Sequence, residues 1–472
     1  MPTFRDARGE SVTAADGDVV RQYDDAVEAY LGARADARDQ VDAVLAADPD
    51  CVLGHCLDGY FRMLASKRES TLQAHDALEH AHRAAARRRV TNRERAHVDA
   101  LDAWSRGDMR GAVDRWQVIL RAHPRDIVAI KVSQFVLSYL GASEAMRDLV
   151  ASVLPAWDSL VPGYGFLLGC YAYGLEEAGD YAQADEYGRR AVALNPADIW
   201  AAHAVAHVAE MEGRVEDGLA WIGHASADWR ACNNFAAHLH WHEGLFHLDL
   251  DQHDRVVELY DRDVRSRSTD EYLDVTNAVS LLWRLEQAEV AVGGRWHELA
   301  ERARDHIDDH SLVFVDLHYL MALAADNDVA AVQEFLDSSE RFAAAGRLGS
   351  NEAVVMADVG LPLARAVWAH RRGLYTEAVD ELLPLHQSLG GHWAQVRRIG
   401  GSHAQRDLFE QLLIDAAWRG RRLDLAAELL AERTMRRPRN IWGWKQSLTV
   451  LTATRSPKAA AAARALDALR NA

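Results

Sequence analysis

The stretch "GFLLGCYAYGLEEAGDYAQADEYGRRAVALNPAD", residues 165–198, decides the fold. Small and aromatic residues share one face of a predicted helix from Phe166 to Glu177, and the turn Gly179-Asp180-Tyr181 follows it. A second predicted helix carries Ala184 and Ala191 where a neighbouring helix must approach closely. Asn195-Pro196 ends this helix, because proline cannot continue a helix interior. Since such a hairpin cannot bury its apolar face alone, the stretch predicts one unit of a repeat array.

The hairpin recurs along the chain. The turn Gly213-Arg214-Val215 follows the first one after 34 residues. Other turns of the same kind are Gly107-Asp108-Met109, Asp251-Gln252-His253, Gly373-Leu374-Tyr375 and Gly420-Arg421-Arg422, with degenerate ones around Gly293-Gly294 and Asn327-Asp328. A fixed period of this length predicts an all-α fold, an α-solenoid that forms a right-handed superhelix. We expect one array over residues 1–472, with degenerate repeats at about 20–160, the best repeats at 165–262, degenerate repeats at 270–345 and C-terminal repeats at 350–472.

The period and the Gly, Tyr, Ala and Pro pattern resemble the tetratricopeptide repeat. Longer strings, such as "HWHEGLFHLDLDQHDRVVELYD" and "RRIGGSHAQRDLFEQLLIDAAWRGRR", are similar to the tetratricopeptide repeat protein 38 family. That resemblance implies a repeat fold and brings no reaction or ligand with it. The tetratricopeptide resemblance also implies geometry: the second, fifth, ninth and twelfth positions of each first helix face the concave groove, and the turn glycine is about fifteenth.

Composition narrows the classes of partner. The chain has 472 residues and a formal charge of −18, from 71 acidic and 53 basic residues, so no basic face indicates nucleic acid binding. It shows no apolar run of signal-peptide or membrane-spanning length. Its four cysteines form no Cys-x-x-Cys pair, which favours a reduced cytoplasmic protein. A homodimer is compatible with these features.

Histidines are concentrated in two consecutive repeats. In "AAHAVAHVAEMEGR", residues 201–214, Gly213 at fifteen places His203, His207 and Glu210 at five, nine and twelve. In "FAAHLHWHEGLFHL", residues 235–248, the same count makes His238 and Trp241 face the groove. It turns His242 and His247 toward neighbouring helices.

Two other segments supply candidate ligand-binding residues. Before Gly420 the count places Asp407 and Glu410 in the groove, with His403 and Arg406 at the mouth of a helix that Ser402 caps. Asp407 and Arg406 could also form a local ion pair, and the Gly-Gly-Ser turn could hold an anion. The other segment carries Asp316 and His318, which are two residues apart and cannot point the same way.

Three chemical interpretations fit these residues. His203, His207, Glu210 and His238 have the types that bind zinc, or iron with two histidines and a carboxylate. Without a metal, His207 could act as a general base, Glu210 as its orienting partner and His238 as the second acid or base. The third interpretation is that the histidines are structural.

Two functions follow from these interpretations. One is a closed pocket that binds, and as an enzyme of unassigned reaction class transforms, a small polar molecule. The other is a scaffold that holds a peptide or protein in its groove. Groove positions with His, Glu, Trp and apolar residues favour the pocket.

Overall fold

The computed structural model describes residues 3–225, 229, 231–346, 350–388, 391 and 393–470. Helices account for nearly all the regular structure, apart from two short strands, β1 (Thr3–Arg5) and β2 (Ser11–Thr13), which pair antiparallel. In chain order the α-helices are α1 (Gly17–Leu31), α2 (Ala37–Ala47), α3 (Val52–Leu64), α4 (Arg68–Arg87), α5 (Asn92–Ser105), α6 (Met109–Ala122), α7 (Ile127–Tyr139), α8 (Ser143–Val153), α9 (Tyr164–Glu177), α10 (Tyr181–Leu194), α11 (Ile199–Met211), α12 (Val215–Ala225), α13 (Phe235–Asp249), α14 (His253–Leu259), α15 (Tyr272–Gln287), α16 (Arg295–Arg304), α17 (Val313–Ala325), α18 (Val329–Ala345), α19 (Asn351–Val355), α20 (Leu361–Arg371), α21 (Tyr375–His386), α22 (His403–Arg419), α23 (Leu423–Arg436), α24 (Ile441–Ala453) and α25 (Ala459–Arg470).

The helices form an α-solenoid of tetratricopeptide-like hairpins, which confirms the predicted fold class. Each turn named from the sequence lies between two antiparallel neighbours, from α5 and α6 to α22 and α23. Gly179 and Gly213 adopt the left-handed conformation with φ of +87° and +64°. At the last named turn the left-handed residue is Arg421 rather than Gly420. The chain reversal therefore does not need glycine in every repeat.

First helices are enclosed and second helices are amphipathic. In α11 residues 199–209 are all buried, and in α17 residues 313–324 are all buried. By contrast, α10 buries only Ala184, Gly188 and Ala191 on one side. Both alanines have no exposed surface, which confirms their predicted place at a helix contact. A first helix therefore places its polar residues inside the protein, where each needs a partner.

The solenoid closes upon itself, so its C-terminal helices occupy the concave side. The backbone N–H of His403 donates to Glu177 Oε1 at 2.9 Å, over 226 positions of sequence. Arg437 Nη2 donates to the backbone oxygen of Glu210 at 3.2 Å, and α22 packs against α11, α15 and α20. The polar residues of α9 and α11 are thus covered by α22 rather than open to solvent.

The strands are the part of the architecture that the sequence did not indicate. Three residues per strand are too few to show an alternating pattern. The pair is held by Glu94, which accepts from the backbone N–H of Thr13 at 2.7 Å and from its hydroxyl at 2.9 Å. Among the helices of the described residues, none is long and apolar enough to cross a membrane.

Candidate metal centre

Four histidines from two helices meet inside the solenoid. His203 and His207 lie one turn apart on α11, and His238 and His242 lie one turn apart on α13. One ring nitrogen from each lies within 4.8 Å of the other three, and each histidine is at most 3% exposed. Residues at i and i+4 share a helix face. Because α11 and α13 pack together, those two faces are opposed.

The ε nitrogens point toward one another. His207 Nε2 lies 2.8 Å from His203 Nε2, and His238 Nε2 lies 3.1 Å from the same atom. The rings of His207 and His242 have centroids 4.4 Å apart. His242 Nε2 is buried and has no hydrogen-bond partner among the described residues.

The δ nitrogens of three of these rings face acceptors outside the cluster. His207 Nδ1 lies 3.4 Å from Glu176 Oε2, and His242 Nδ1 lies 3.1 Å from Glu210 Oε2. His238 Nδ1 lies 2.9 Å from Asn277 Oδ1. A carboxylate or amide oxygen accepts, so the δ nitrogens of His238 and His242 carry the proton of a neutral ring. His207 Nδ1 is within ion-pair distance of Glu176 without forming a hydrogen bond to it. The ε nitrogens of His238 and His242 then present lone pairs to the centre of the cluster.

Burial sets the protonation of the cluster. It lowers the pKa of His203, His238 and His242 well below the usual value, with the other histidines adding to the effect on each. Burial also lowers the pKa of His207, but the carboxyl of Glu176 outweighs it, so the pKa of His207 is raised. Burial raises the pKa of Glu176 to about 7, against the opposing influence of His207. Neutral imidazoles, the form that binds metals, are therefore favoured at three of four positions.

Aromatic side chains surround the cluster and exclude water. Trp241 stacks on His238 with ring centroids 5.1 Å apart and planes 10° apart, and its indole N–H donates to Ser280 at 3.2 Å. It is fully buried, so it is part of the cluster's wall rather than an exposed stacking surface. Phe235 and Tyr173 contact His203 from other sides.

Two residues differ from the ligand set expected from the sequence. His242 faces the neighbouring helix α11, as the count indicates, and there it is the fourth member of the cluster. Glu210 neither joins the ring nitrogens nor orients His207; it accepts from His242, and Arg437 lies 3.7 Å from it. The partner of His207 is Glu176, which the sequence reasoning missed. The signal was present, since with Gly179 at fifteen Glu176 occupies the twelfth position, as Glu210 does in the next repeat.

The start of α22 lies beside the cluster. It is bonded to Glu177, the last residue of α9. Ser402 forms the predicted cap, with Gln405 completing a capping box. His403 Nε2 lies 2.9 Å from the backbone oxygen of Glu177, and Arg406 Nη2 donates to Glu177 Oε2 at 3.3 Å. Burial would raise the pKa of Glu177, but His403 and Arg406 outweigh it and lower the pKa. The anion at this helix start is the protein's own carboxylate.

Asp407 and Glu410 belong to a second polar network. Arg433 pairs with Asp407 at 2.6 Å, and Arg436 pairs with Glu410 at 2.6 Å. The alternative ion pair between Asp407 and Arg406 is therefore wrong, because each residue has another partner. Asp407 and Glu210 both line a polar cavity of about 80 Å³, together with three arginines: Arg284, Arg433 and Arg437.

Asp316 and His318 are not brought to the cluster. Asp316 Oδ2 lies 3.3 Å from His310 Nδ1, while His318 Nδ1 donates to the backbone oxygen of Phe314 at 2.7 Å. The two side chains point different ways, as their spacing requires. Both are buried structural residues of α17.

No protein-family model matches this sequence. A human IFIT1 dimer with PPP-AAAA is 13% identical, with 97% of this chain and 95% of that chain covered and a TM-score of 0.39. Yeast Tom70 is 11% identical, with 93% and 97% covered and a TM-score of 0.32. The P58(IPK) TPR domain is 11% identical, with 81% and 93% covered and a TM-score of 0.22. These similarities concern the helical-repeat architecture alone.

Proposed function

We propose that this protein holds one divalent transition-metal ion between His203, His207, His238 and His242. The observation that carries the proposal is the direction of the lone pairs. His238 and His242 donate their δ proton to oxygens outside the cluster, and His207 Nδ1 lies 3.4 Å from Glu176, so the ε nitrogens of these rings meet. The four ε nitrogens then share too few protons to hydrogen-bond one another, and His242 Nε2 has no donor among the described residues. A cation at the centre accepts all four.

The distances are compatible with such an ion after a small adjustment. Tetrahedral zinc with bonds of 2.0–2.1 Å to imidazole separates its ligand nitrogens by about 3.4 Å. The separations of 2.8 and 3.1 Å lie below that value, while every pair of ligand nitrogens lies within 4.8 Å. Ring rotations that move each nitrogen by up to about 0.7 Å would bring the four nitrogens to tetrahedral spacing.

The outer acceptors support the same proposal. Metal-binding imidazoles usually donate their other N–H to a carboxylate or carbonyl, which fixes the ring and raises its basicity. Glu176, Glu210 and Asn277 would do this for His207, His242 and His238. Imidazole ligands suit zinc, copper, iron and nickel, and four protein ligands in a buried site are typical of a held ion rather than of an open catalytic position. Zinc is the first choice on that ground, with iron as the other predicted metal.

The small polar molecule of the sequence interpretation is best supported at the cavity beside Glu210. Arg433 and Arg437 pair with Asp407, while Arg284 has no ion pair among the described residues and offers donors to such a molecule. Glu210 links the cavity to His242. The peptide-groove interpretation has less support, since α22 packs on the concave side against α11 and α15. Absence of nucleic acid binding, a homodimer and a cytoplasmic location stay predictions. So does membership of the tetratricopeptide repeat protein 38 family, which rests on the strings quoted above.

Elemental analysis of protein purified without chelator or histidine tag tests the metal proposal. We expect about one equivalent of zinc or iron per chain. His207→Ala and His242→Ala should lose it with the helical content unchanged, because alanine favours helix. His297→Ala, which removes an exposed histidine, is the matched control and should keep the ion.

Metal-free wild-type protein that takes up no added zinc or iron would refute the proposal. In that case the buried pair of His207 and Glu176 would be left as an acid–base pair. If His242→Ala keeps the ion and Glu210→Gln loses it, the ligand is Glu210 rather than His242, as expected from the sequence.

A further inference from the structure

A second cavity, with a different chemistry, lies on the other side of Trp200 and Phe235. It has a volume of about 480 Å³, within the range of ordinary small-molecule sites. Its wall is largely aromatic and is built from Tyr30, Phe61, Phe135, Tyr139, Trp200, Phe235 and Tyr272. Since Trp200 and Phe235 also contact the ring of His203, the cavity and the histidine cluster share one wall.

Of the three cationic residues that line this largely apolar cavity, one is buried. Lys131, on α7, is 4% exposed, and its ammonium nitrogen lies 3.6 Å from the centre of the Trp200 ring and 5.1 Å from that of Phe135. It makes no hydrogen bond and no ion pair with any residue that the structure describes. An ammonium group has three donors, and ring faces do not replace three acceptors.

The surroundings leave that charge without a neutralising partner. Burial lowers the pKa of Lys131, against the opposing influence of Cys170 and Asp198. Asp198 is the cap of α11 and accepts from the backbone N–H of Ala201 at 3.0 Å, and it is not within ion-pair distance of Lys131. A buried charge without a partner is costly, so a site that keeps one usually has a ligand for it.

The other charged residues that line the cavity are exposed. Arg34 pairs with Asp36 at 2.5 Å, Arg38 lies 3.6 Å from Asp58, and Glu271 has no partner of this kind among the described residues. Lys131 is therefore the buried charge of this cavity.

We infer that this cavity binds an aromatic monocarboxylate of one or two rings, with its carboxylate on Lys131 and its rings against the aromatic wall. The ammonium supplies the charge-assisted hydrogen bonds to the carboxylate. The apolar wall supplies most of the buried area, as is usual in small-molecule sites. This inference does not depend on the metal centre.

Calorimetric titration with 1-naphthaleneacetate and the neutral 1-naphthaleneacetamide tests it. The two probes have the same rings and nearly the same size, so their difference reports the charge. We expect the acid to bind more tightly than the amide. Loss of a charged hydrogen bond in Lys131→Met should weaken the acid roughly 10- to 100-fold and leave the amide nearly unchanged.

Two control variants show whether acid binding depends on the net charge of the protein or on the metal centre. Lys458→Met removes an exposed lysine and should bind the acid as the wild type does. His207→Ala should lose metal and still bind the acid. No binding of the acid by the wild type, or equal affinity for acid and amide, would overturn the inference even if Lys131→Met failed to fold.

Discussion

His207 Nδ1 on α11 lies 3.4 Å from Glu176 Oε2 on α9, and both side chains are fully buried. The two residues occupy the ninth and twelfth positions of successive first helices, so the repeat itself brings them together. Neither oxygen of Glu176 has a hydrogen bond among the described residues, and His207 is its one ion-pair contact there. Glu176 thus acts on the ring of His207 alone among the four histidines, and this effect can be tested.

Glu176→Gln should weaken metal binding roughly 10- to 100-fold, as loss of an outer acceptor commonly does. The amide keeps the shape and removes the charge that raises the pKa of His207. Competition with a chromogenic chelator measures the affinity. Glu216→Gln, on the exposed side of α12, is the control, and an equal affinity in the two variants would show that Glu176 has no such role.

His318 should make stability fall at acid pH. Burial lowers its pKa from 6.5 to about 4, so below pH 6.5 the unfolded chain binds a proton that the folded chain does not. Its contribution is therefore intact above pH 6.5 and is lost as pH falls toward 4. Relative to His318→Asn, the wild type should lose about 2 kcal/mol of unfolding free energy between pH 7.5 and 5. Urea unfolding measures this difference, and the same pH dependence in both proteins would contradict the prediction.

Packing between first and second helices should not tolerate a larger residue at Ala184. This alanine has no exposed surface and packs with Leu175 and Val208. Ala184→Leu should cost roughly 1–3 kcal/mol through overpacking. Ala182→Leu lies on the exposed side of the same helix and is the matched control. Equal melting temperatures for the two variants would contradict the observed register.

Gly141 lies at a contact that closes the solenoid, so replacing it should lower the free energy of unfolding. Its φ is +64°, and a Cβ there would lie 2.0 Å from the backbone oxygen of Arg397. Gly179 has a similar φ of +87° with nothing within 4 Å, so Gly179→Ala measures the backbone strain alone. Gly141→Ala should be less stable than Gly179→Ala by roughly 1–3 kcal/mol. If thermal unfolding shows the same loss in both, the C-terminal contact contributes nothing to stability.

Part of the candidate site was predictable from the repeat count. Placing Gly213 at fifteen put His203 and His207 on the inner face, and the same count for the next repeat put His238 there. These three meet because groove positions of adjacent first helices are neighbours by construction. Applied to the preceding repeat, the same count would also have found Glu176, since Gly179 defines it.

The fourth ligand and the second network were not predictable in this way. The register of α13 against α11, and not a groove position, brings His242 into the cluster. Likewise Arg433 and Arg437 reach Asp407 from another helix, which no pattern in the segment around α22 indicates. Side-chain partners of this kind depend on how closely two helices pack in space, and the period of the repeat along the sequence does not give that distance.

The sequence by itself determined the hairpin, its period and the side of each helix that faces inward, because these depend on spacing, turn conformation and the position of small residues within one or two units. The tertiary structure alone decided how the C-terminal repeats meet the middle of the array. Contacts such as His403 with Glu177 and Arg397 with Glu144 join residues more than 200 positions apart. Their existence depends on small rotations accumulated over every repeat. That closure is what buries the histidine cluster, and burial is what gives its nitrogens their chemistry.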